Sequence, residues 1–535
     1  MIKRLGQGVA GAALLIGVIT ILGRVTGFGK QLVFARTVGT ACLSTAYYTA
    51  NQIPNLVFEI VVGGALAGMV VPVLAGRASR DEVSAISSAL LTWVLLLLIP
   101  LSLLTALLAG PVVSFFVGDL TDCDNPAAVI ATGTRMLVVF APQIVLYGIA
   151  VVLYGVLQAH RRFASPALAP LVSSVVVIVA YLAFVPLSEG KTLPGEIPEA
   201  AELALSVGTT LGVVALVVTV LGPTARLRLR WRPTLRFPAG VGAQVRTLAL
   251  AGLSALVAQQ VAMAVVVKLA NQAGSGQIAA YNYAWAIYLV PYAVLAVPIA
   301  TSAFPVLSAR AENGDRAGFA ALAAQTTRVI LLISGLAAGA LAATAAPIAA
   351  VFLLQADSDV SVPEFARAIA LFAPGLLGYG LMAHLSRVLY AEGHGRPAAR
   401  AMVTGWLIVI AAQTAFSLTF PQPWKLGGLA LGQAVGMTAG GLLLLLSVRR
   451  AHGSHALTGV PRAGLAALLG GITAYLAGSA VVHLFGPQTL WPSVLETAVA
   501  GLVSLTVGTL AAAAIDRGDL LTLLDRTLRR KATRA

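Results

Sequence analysis

Fourteen apolar stretches, the first at 9–36 and the last at 492–514, are separated only by short segments that alternate between basic and uncharged or acidic. Each stretch suffices to cross about 30 Å of hydrocarbon, which takes ~20 residues of helix. Inside lipid every backbone N–H and C=O must find its partner within the segment or in a closed barrel, so the stretches predict helices. A soluble alternative is excluded by composition: 58% hydrophobic and 10% charged residues at a mean hydropathy of +0.90 leave too little polar surface to face water. The expected fold class is all-α, a polytopic membrane protein with 14 transmembrane helices. Interior prolines at 54, 142, 291, 298 and 374 mark predicted hinges, because neighbouring helices can re-satisfy the carbonyls they free.

Orientation follows from Lys and Arg, which resist translocation when they sit in short loops. Counted inward from the N-terminus, the inner segments carry Lys3 and Arg4, Arg77 and Arg80, Arg161 and Arg162, a run from Arg226 to Arg236, and further arginines out to the tail. The outer segments carry only Arg36, Lys191 and Lys425, and are acidic at Asp119, Asp122, Asp124, Glu189, Glu196, Glu199, Asp357 and Asp359. Both termini are expected in the cytoplasm, with the chain crossing its membrane many times. The net charge of +15 is spread over every inner loop, so it reads as topology and not as a nucleic-acid surface. The tract 226–236 alternates Arg with Leu and Trp231, consistent either with a piece lying on anionic lipid or with an ordinary stop-transfer loop. The first span is too long, and lacks a small-residue cleavage site, for a removable signal peptide. Cys42 and Cys123 fall in the first two outer loops, an oxidising location where a disulfide is chemically allowed and two separate thiols are the alternative.

A weak internal repeat runs at an offset of about 232 residues: Val156-Leu157-Gln158-Ala159 with Arg162 and Pro166 reads like Val388-Leu389-Tyr390-Ala391 with Arg396 and Pro397. Six spans fit in the offset, so both copies share one orientation. The expected organisation is an N-lobe at 1–222 with helices one to six, a basic linker at 223–242, and a C-lobe at 243–450 with helices seven to twelve. Two further helices at 451–514 and a basic tail at 515–535 follow. Two pseudo-repeated six-helix lobes around a central cavity are the pattern of carriers that rock two halves about a site.

Enzyme signatures are absent: there is no H-E-x-x-H, no nucleophile elbow and no Cys/His cluster at metal spacing, so no cofactor or metal is expected. The stretch Gly23 to Lys30 imitates a phosphate loop but is one residue too long, lacks the following Ser or Thr, and lies inside a span; no ATPase is expected. Charges left within spans are the informative residues, since each is costly there unless it meets water or a partner. Once those near span ends are allowed to snorkel, Arg135 among them, Arg24, Lys30, Glu59, Lys268 and Arg387 remain as candidate substrate-binding residues, with His384 one turn from Arg387. One carboxylate cannot neutralise four cations. The surplus favours an anionic ligand, and a forked guanidinium suits phosphate. An Arg–Glu lock between the first two helices is the competing reading of Glu59.

The run Gly23-Arg24-Val25-Thr26-Gly27-Phe28, then Ala35-Arg36-Thr37-Val38-Gly39, Ile53-Pro54-Asn55-Leu56, Gly64-Ala65-Leu66 and Val71-Pro72-Val73-Leu74 resembles the N-terminal signature of the MurJ/MviN family of lipid II flippases. A second block, Gly155 to Ala159 with Arg162-Phe163-Ala164-Ser165-Pro166, is similar to that family's loop after span four. The resemblance implies a fold of the multidrug, oligosaccharidyl-lipid and polysaccharide exporter type, in a bacterial cytoplasmic membrane. It further implies alternating access, lipid II as the partner in transport, and contact with membrane lipids and cell-wall synthesis proteins. Arg24 matches a cavity arginine of the family, and Lys30 keeps the charge of a second without its fork. The chain departs from better-known Gram-negative members at Thr45, where they carry Asp, and at Phe58 and Glu59, where they carry paired basic residues. The rival functions are a flippase for another polyprenyl-phosphate-linked saccharide and a cation-coupled drug antiporter, which needs membrane carboxylates where this chain offers only Glu59.

Overall fold

The computed structural model describes residues 2–60, 73–74, 79–118, 120, 122–238, 241–354, 356–485, 489–516 and 518, with side chains described outside 2–17 and 243–252. The chain forms two compact units, Met1–Ala279 with Ala356–Asp359, and Ala280–Gln355 with Val360–Ala535. In the first unit lie α1 (Ile2–Thr37), α2 (Cys42–Phe58), α3 (Arg80–Leu107), α4 (Ala109–Val117), α5 (Pro126–Phe140), α6 (Gln143–Ala159), α7 (Ala164–Leu187), α8 (Glu199–Ala225) and α9 (Val241–Ala273). After α10 (Gln277–Pro291), which begins at the unit boundary, the second holds α11 (Val297–Glu312), α12 (Arg316–Ala343), α13 (Ala345–Leu353), α14 (Val362–Phe372), α15 (Gly375–Ala391), α16 (Gly395–Thr419), α17 (Lys425–His452), α18 (Val460–Phe485) and α19 (Leu490–Ile515).

Thirteen of the described helices or joined helix pairs are long and apolar enough to cross a membrane. The predicted second span, 46–76, is seen as α2 in its N-terminal half, and 61–72 lies outside the described residues, as do Arg77, Asp119 and most of the tail. The all-α class and the repeat both hold. Helices of 28, 9, 15, 17, 24 and 27 residues (α3 to α8) are matched in order by helices of 28, 9, 11, 17, 25 and 28 residues (α12 to α17). The breaks recur as well: Pro142 and Pro374 each precede the first residue of a helix, where the missing N–H and fixed φ of proline do no harm. Local chemistry sets the other starts. Ser79 accepts from Glu82 N at 3.1 Å with two acids in the first turn of α3, and Ser361 with Glu364 forms a capping box ahead of α14.

The first unit is rooted in an aromatic cluster in which Phe34 of α1 packs on Tyr47 and Tyr48 of α2 and Tyr181 of α7 at centroid distances of 4.7 to 4.9 Å. The Tyr47 hydroxyl satisfies itself on Tyr181 and Thr209 at 2.7 and 2.8 Å, so the polar ends are buried without penalty. Beside this cluster the chain turns through Gly39 and Gly276, both at positive φ (+85° and +71°), where an added Cβ would strike the carbonyls of Asp357 and Thr40. Thr45, the departure noted in the sequence, uses its hydroxyl to accept the Gly276 N–H at 2.8 Å. Cys42 and Cys123 are joined in a disulfide that ties the start of α2 to the loop after α4. Of the two readings left open in the sequence, the structure has the bonded one.

Candidate functional site

Arg24 and Lys30 lie on α1 at positions i and i+6 with Gly27 midway, a ridge of three residues spaced along about 9 Å of helix axis. Upstream, Gly23 brings α1 against α7, its Cβ position 3.9 Å from Leu171. Downstream, Phe34 anchors the helix in the aromatic cluster. Between these two fixed points the ridge is open: a Cβ on Gly27 or Gly29 would meet nothing within 4 Å. Arg24 is exposed and Lys30 half-buried. Thr26 turns its hydroxyl back on the Leu22 carbonyl at 2.9 Å, so it takes no part in binding the two cations.

Glu59 sits immediately beyond α2, exposed, on the row Tyr48, Gln52, Asn55, Glu59, whose 4-3-4 spacing places all four on one helix face. This row meets α1 where the Tyr48 hydroxyl donates to Gln31 Oε1 at 2.6 Å, beside Lys30 in sequence, and meets α6 where the Tyr147 hydroxyl donates to Asn55 Oδ1 at 3.4 Å. Among the described residues no ion pair joins Glu59 to Arg24 or Lys30, so the competing lock is not made. Two cations therefore stand along one open face with no carboxylate of their own.

The other two sequence candidates are held differently. Lys268 of α9 donates to the carbonyl of Phe115 and lies 5.0 Å over the Phe115 ring, a cation closing the C-terminal turn of α4. Arg387 of α15, in the second unit, donates to the carbonyl of Ala383 on its own preceding turn, and the fully buried His384 beside it bonds Thr326 at 2.8 Å. Sequence reasoning set Arg135 aside as a helix-end snorkeller. The structure instead gives it a bidentate partner, Glu202, at 2.8 and 2.5 Å. That pair is 67 residues apart in sequence, and only the coincidence of an in-span Arg with an acid in the first turn of α8 hinted at it.

A helical membrane protein built from two matched series of helices has the architecture of a two-lobed carrier. The chain belongs to the MurJ family: a family model described as "Lipid II flippase MurJ" matches residues 34–495. Among curated relatives it is 28% identical over 449 residues to the lipid II flippase MurJ of Burkholderia cenocepacia, covering 82% of this chain and 83% of the relative. It is 24% identical over 432 residues to a probable lipid II flippase MurJ of Thermotoga maritima, covering 80% and 83%. Among solved structures, its fold is similar to a MurJ in an inward closed conformation at a TM-score of 0.73 and 18% identity, covering 95% of this chain and 100% of the other. It is also similar to an inward-facing multidrug resistance transporter of the MATE family at 0.65 and 14%, covering 83% and 98%.

Proposed function

We propose that this chain is a lipid II flippase, carrying the polyprenyl-pyrophosphate-linked disaccharide pentapeptide from the inner to the outer leaflet of the bacterial cytoplasmic membrane. The observation that carries the reading is the open Arg24–Gly27–Lys30 ridge in a chain of the MurJ family. A head group this polar cannot cross hydrocarbon unaided, whereas a hydrated cationic face can hold its diphosphate while the prenyl chain stays in lipid. Arg24 supplies the forked contact and Lys30 a point charge. Glu59 lies on the polar row that α2 offers beside them, where it repels a phosphate and favours the amine-bearing or neutral parts of the head group. Lys268 and Arg387, each already donating to a backbone carbonyl, act on the ligand by their charge and not by a first contact.

The moving bodies are the lobes 1–222 and 243–450, with alternating access between them and helices 451–514 appended; the matched helix lengths of α3–α8 and α12–α17 support a pair of related lobes. Both termini face the cytoplasm, which places the Cys42–Cys123 disulfide on the oxidising side of the membrane. A cation-coupled drug antiporter is not favoured, because it needs membrane carboxylates and the spans offer only Glu59 as a candidate, while the relatives this chain matches are named lipid II flippases.

Depletion of the protein in cells is expected to accumulate lipid II in the inner leaflet. Re-expression of Arg24→Ala is expected to leave it there, with Arg24→Lys rescuing only partly because the fork is lost. An unchanged leaflet distribution on depletion would remove the function; full rescue by Arg24→Ala would leave the function but remove the site.

A further inference from the structure

The basic tract 226–236 is not a loose loop. It leaves α8 through a left-handed turn at Arg228 (φ +52°) and then runs alongside α3 as an extended strap. Its backbone N–H groups at Arg230, Arg232 and Thr234 donate to Ser84 Oγ, Ser88 Oγ and Thr92 Oγ1 of α3 at 3.1, 3.1 and 3.2 Å. The match is geometric. Every second residue of an extended chain advances about 6.6 Å, and every fourth residue of a helix advances about 6 Å, so two N–H steps of the strap keep pace with one hydroxyl step of α3. The Trp93 indole adds a further tie by donating to Leu235 O at 3.1 Å.

This docking sorts the alternating sequence. Leu227, Leu229 and Phe237 pack on the buried cluster that includes Ile86, Leu90 and Val94. Arg226, Arg228, Arg230, Arg232 and Arg236 all remain exposed. The strap itself carries no acid, and the acids of α3 are confined to its first turn at Asp81 and Glu82. Where the strap crosses the helix, Trp231, Arg232 and Pro233 form one wall of a groove of about 440 Å³ whose other wall is α3 from Ser88 to Pro100, with Leu91, Leu95, Leu96 and Ile99 between. From Ser88 to Pro100 is about 18 Å of helix, close to the ~15 Å depth of one leaflet's hydrocarbon. A charged rim at one end and an apolar trench of leaflet depth leading from it are complementary to one class of molecule.

We propose that the strap and groove bind one anionic phospholipid, its phosphate on Arg230 and Arg232, its glycerol region against Trp231, and one acyl chain along Leu91, Leu95 and Ile99. The site lies on α3 and the strap, apart from the α1 ridge, and does not depend on what the protein transports. Its leaflet, the inner one, comes from the orientation proposed above. The strap's three N–H bonds to α3 hydroxyls hold the arginines at fixed depth, which distinguishes this site from the diffuse attraction any basic loop has for an acidic surface.

Native mass spectrometry of the full-length protein with dioleoyl phosphatidylglycerol or dioleoyl phosphatidylcholine tests this directly. Preferential retention of phosphatidylglycerol is expected, and Arg230→Gln/Arg232→Gln is expected to lower it by about fivefold per arginine, each basic residue near an anionic surface being worth ~1 kcal/mol. Leu96→Trp, which fills the trench from an exposed position, should lower retention of the same lipid without changing charge. Arg449→Gln/Arg450→Gln, an equal charge change in the second unit, should leave retention intact. Equal losses in both double variants would reduce the effect to net charge and overturn the site. So would Arg230→Gln/Arg232→Gln variants that lose polyprenyl pyrophosphate binding while keeping phosphatidylglycerol, since the groove would then belong to the transported lipid. Melting temperatures of all three variants close to wild type keep a loss of binding separate from a loss of fold.

Discussion

Glycine serves opposite ends in α1 and at the helix contacts α12–α18, α15–α17 and α16–α17 of the second unit. In α1 of the first, Gly27 and Gly29 face open space, and their small size keeps a path clear between two cations. In the second, glycines let helices touch backbone to backbone: a Cβ on Gly335 would lie 2.5 Å from Ala467 O, one on Gly405 3.0 Å from Gly440 Cα, and one on Gly378 would overlap Met437 and Thr438 main chain. Without a hydrophobic drive between helices in lipid, such close approach supplies the association energy through dispersion. The comparison teaches that glycine content alone says nothing of flexibility. The same residue builds a rigid seam in one place and keeps a binding face bare in another.

The largest effect should come from closing a seam. Gly378→Ala puts a methyl into main-chain atoms that cannot rotate away, so a loss of ~3 kcal/mol or more, seen as aggregation or a strongly lowered melting temperature in detergent, is expected. A wild-type melt would mean the seam is loose and the comparison empty. Next in size is Gly27→Phe, which fills the open ridge: lipid II flipping should fall about tenfold or more while the melt stays near wild type, because nothing packs there to be displaced. Normal flipping in this variant would remove the ridge from the transport path.

A smaller effect tests the charge side of the contrast. Glu202→Gln strips Arg135 of its bidentate partner, yet the Arg135 side chain is 55% exposed, so a loss of at most ~1 kcal/mol is expected. Flipping should be unaffected, since Arg135 is a compensated cation in the native protein and the Arg24 ridge is not. If Glu202→Gln abolished flipping as Arg24→Ala is expected to, compensation would not separate the two arginines.

The spans, the repeat and the surplus of in-span cations were legible in the sequence because hydropathy and charge are properties of residue type and local spacing. What pairs with what was not. Glu202 lies far along the chain from Arg135, and the acceptors of Lys268 and Arg387 are carbonyls, which every residue carries and no sequence distinguishes. The disulfide was visible as two cysteines on one side of the membrane, but bonding needs the 6.0 Å Cα separation that only the fold sets. The strap was visible as alternation of Arg with apolar residues; its partner was not, because Ser84, Ser88 and Thr92 form an i, i+4 row that reads as an ordinary helix face until a second chain segment is laid along it.

The smallest expected effect is also the one that separates the two uses of glycine most cleanly. Gly27→Ala adds a methyl that meets nothing, and alanine is favoured over glycine in a helix by about 1 kcal/mol, so stability should hold or rise slightly. Flipping should change by less than about twofold, a methyl being small beside a pyrophosphate and the charges at Arg24 and Lys30 being untouched. The same substitution at Gly378 is expected to break the protein. A helix-propensity account predicts a gain at both positions, and a flexibility account predicts that stiffening α1 slows transport. Only the packing account predicts tolerance at residue 27 and failure at residue 378, and the pair of alanine variants, compared by melt and by flipping, decides among the three.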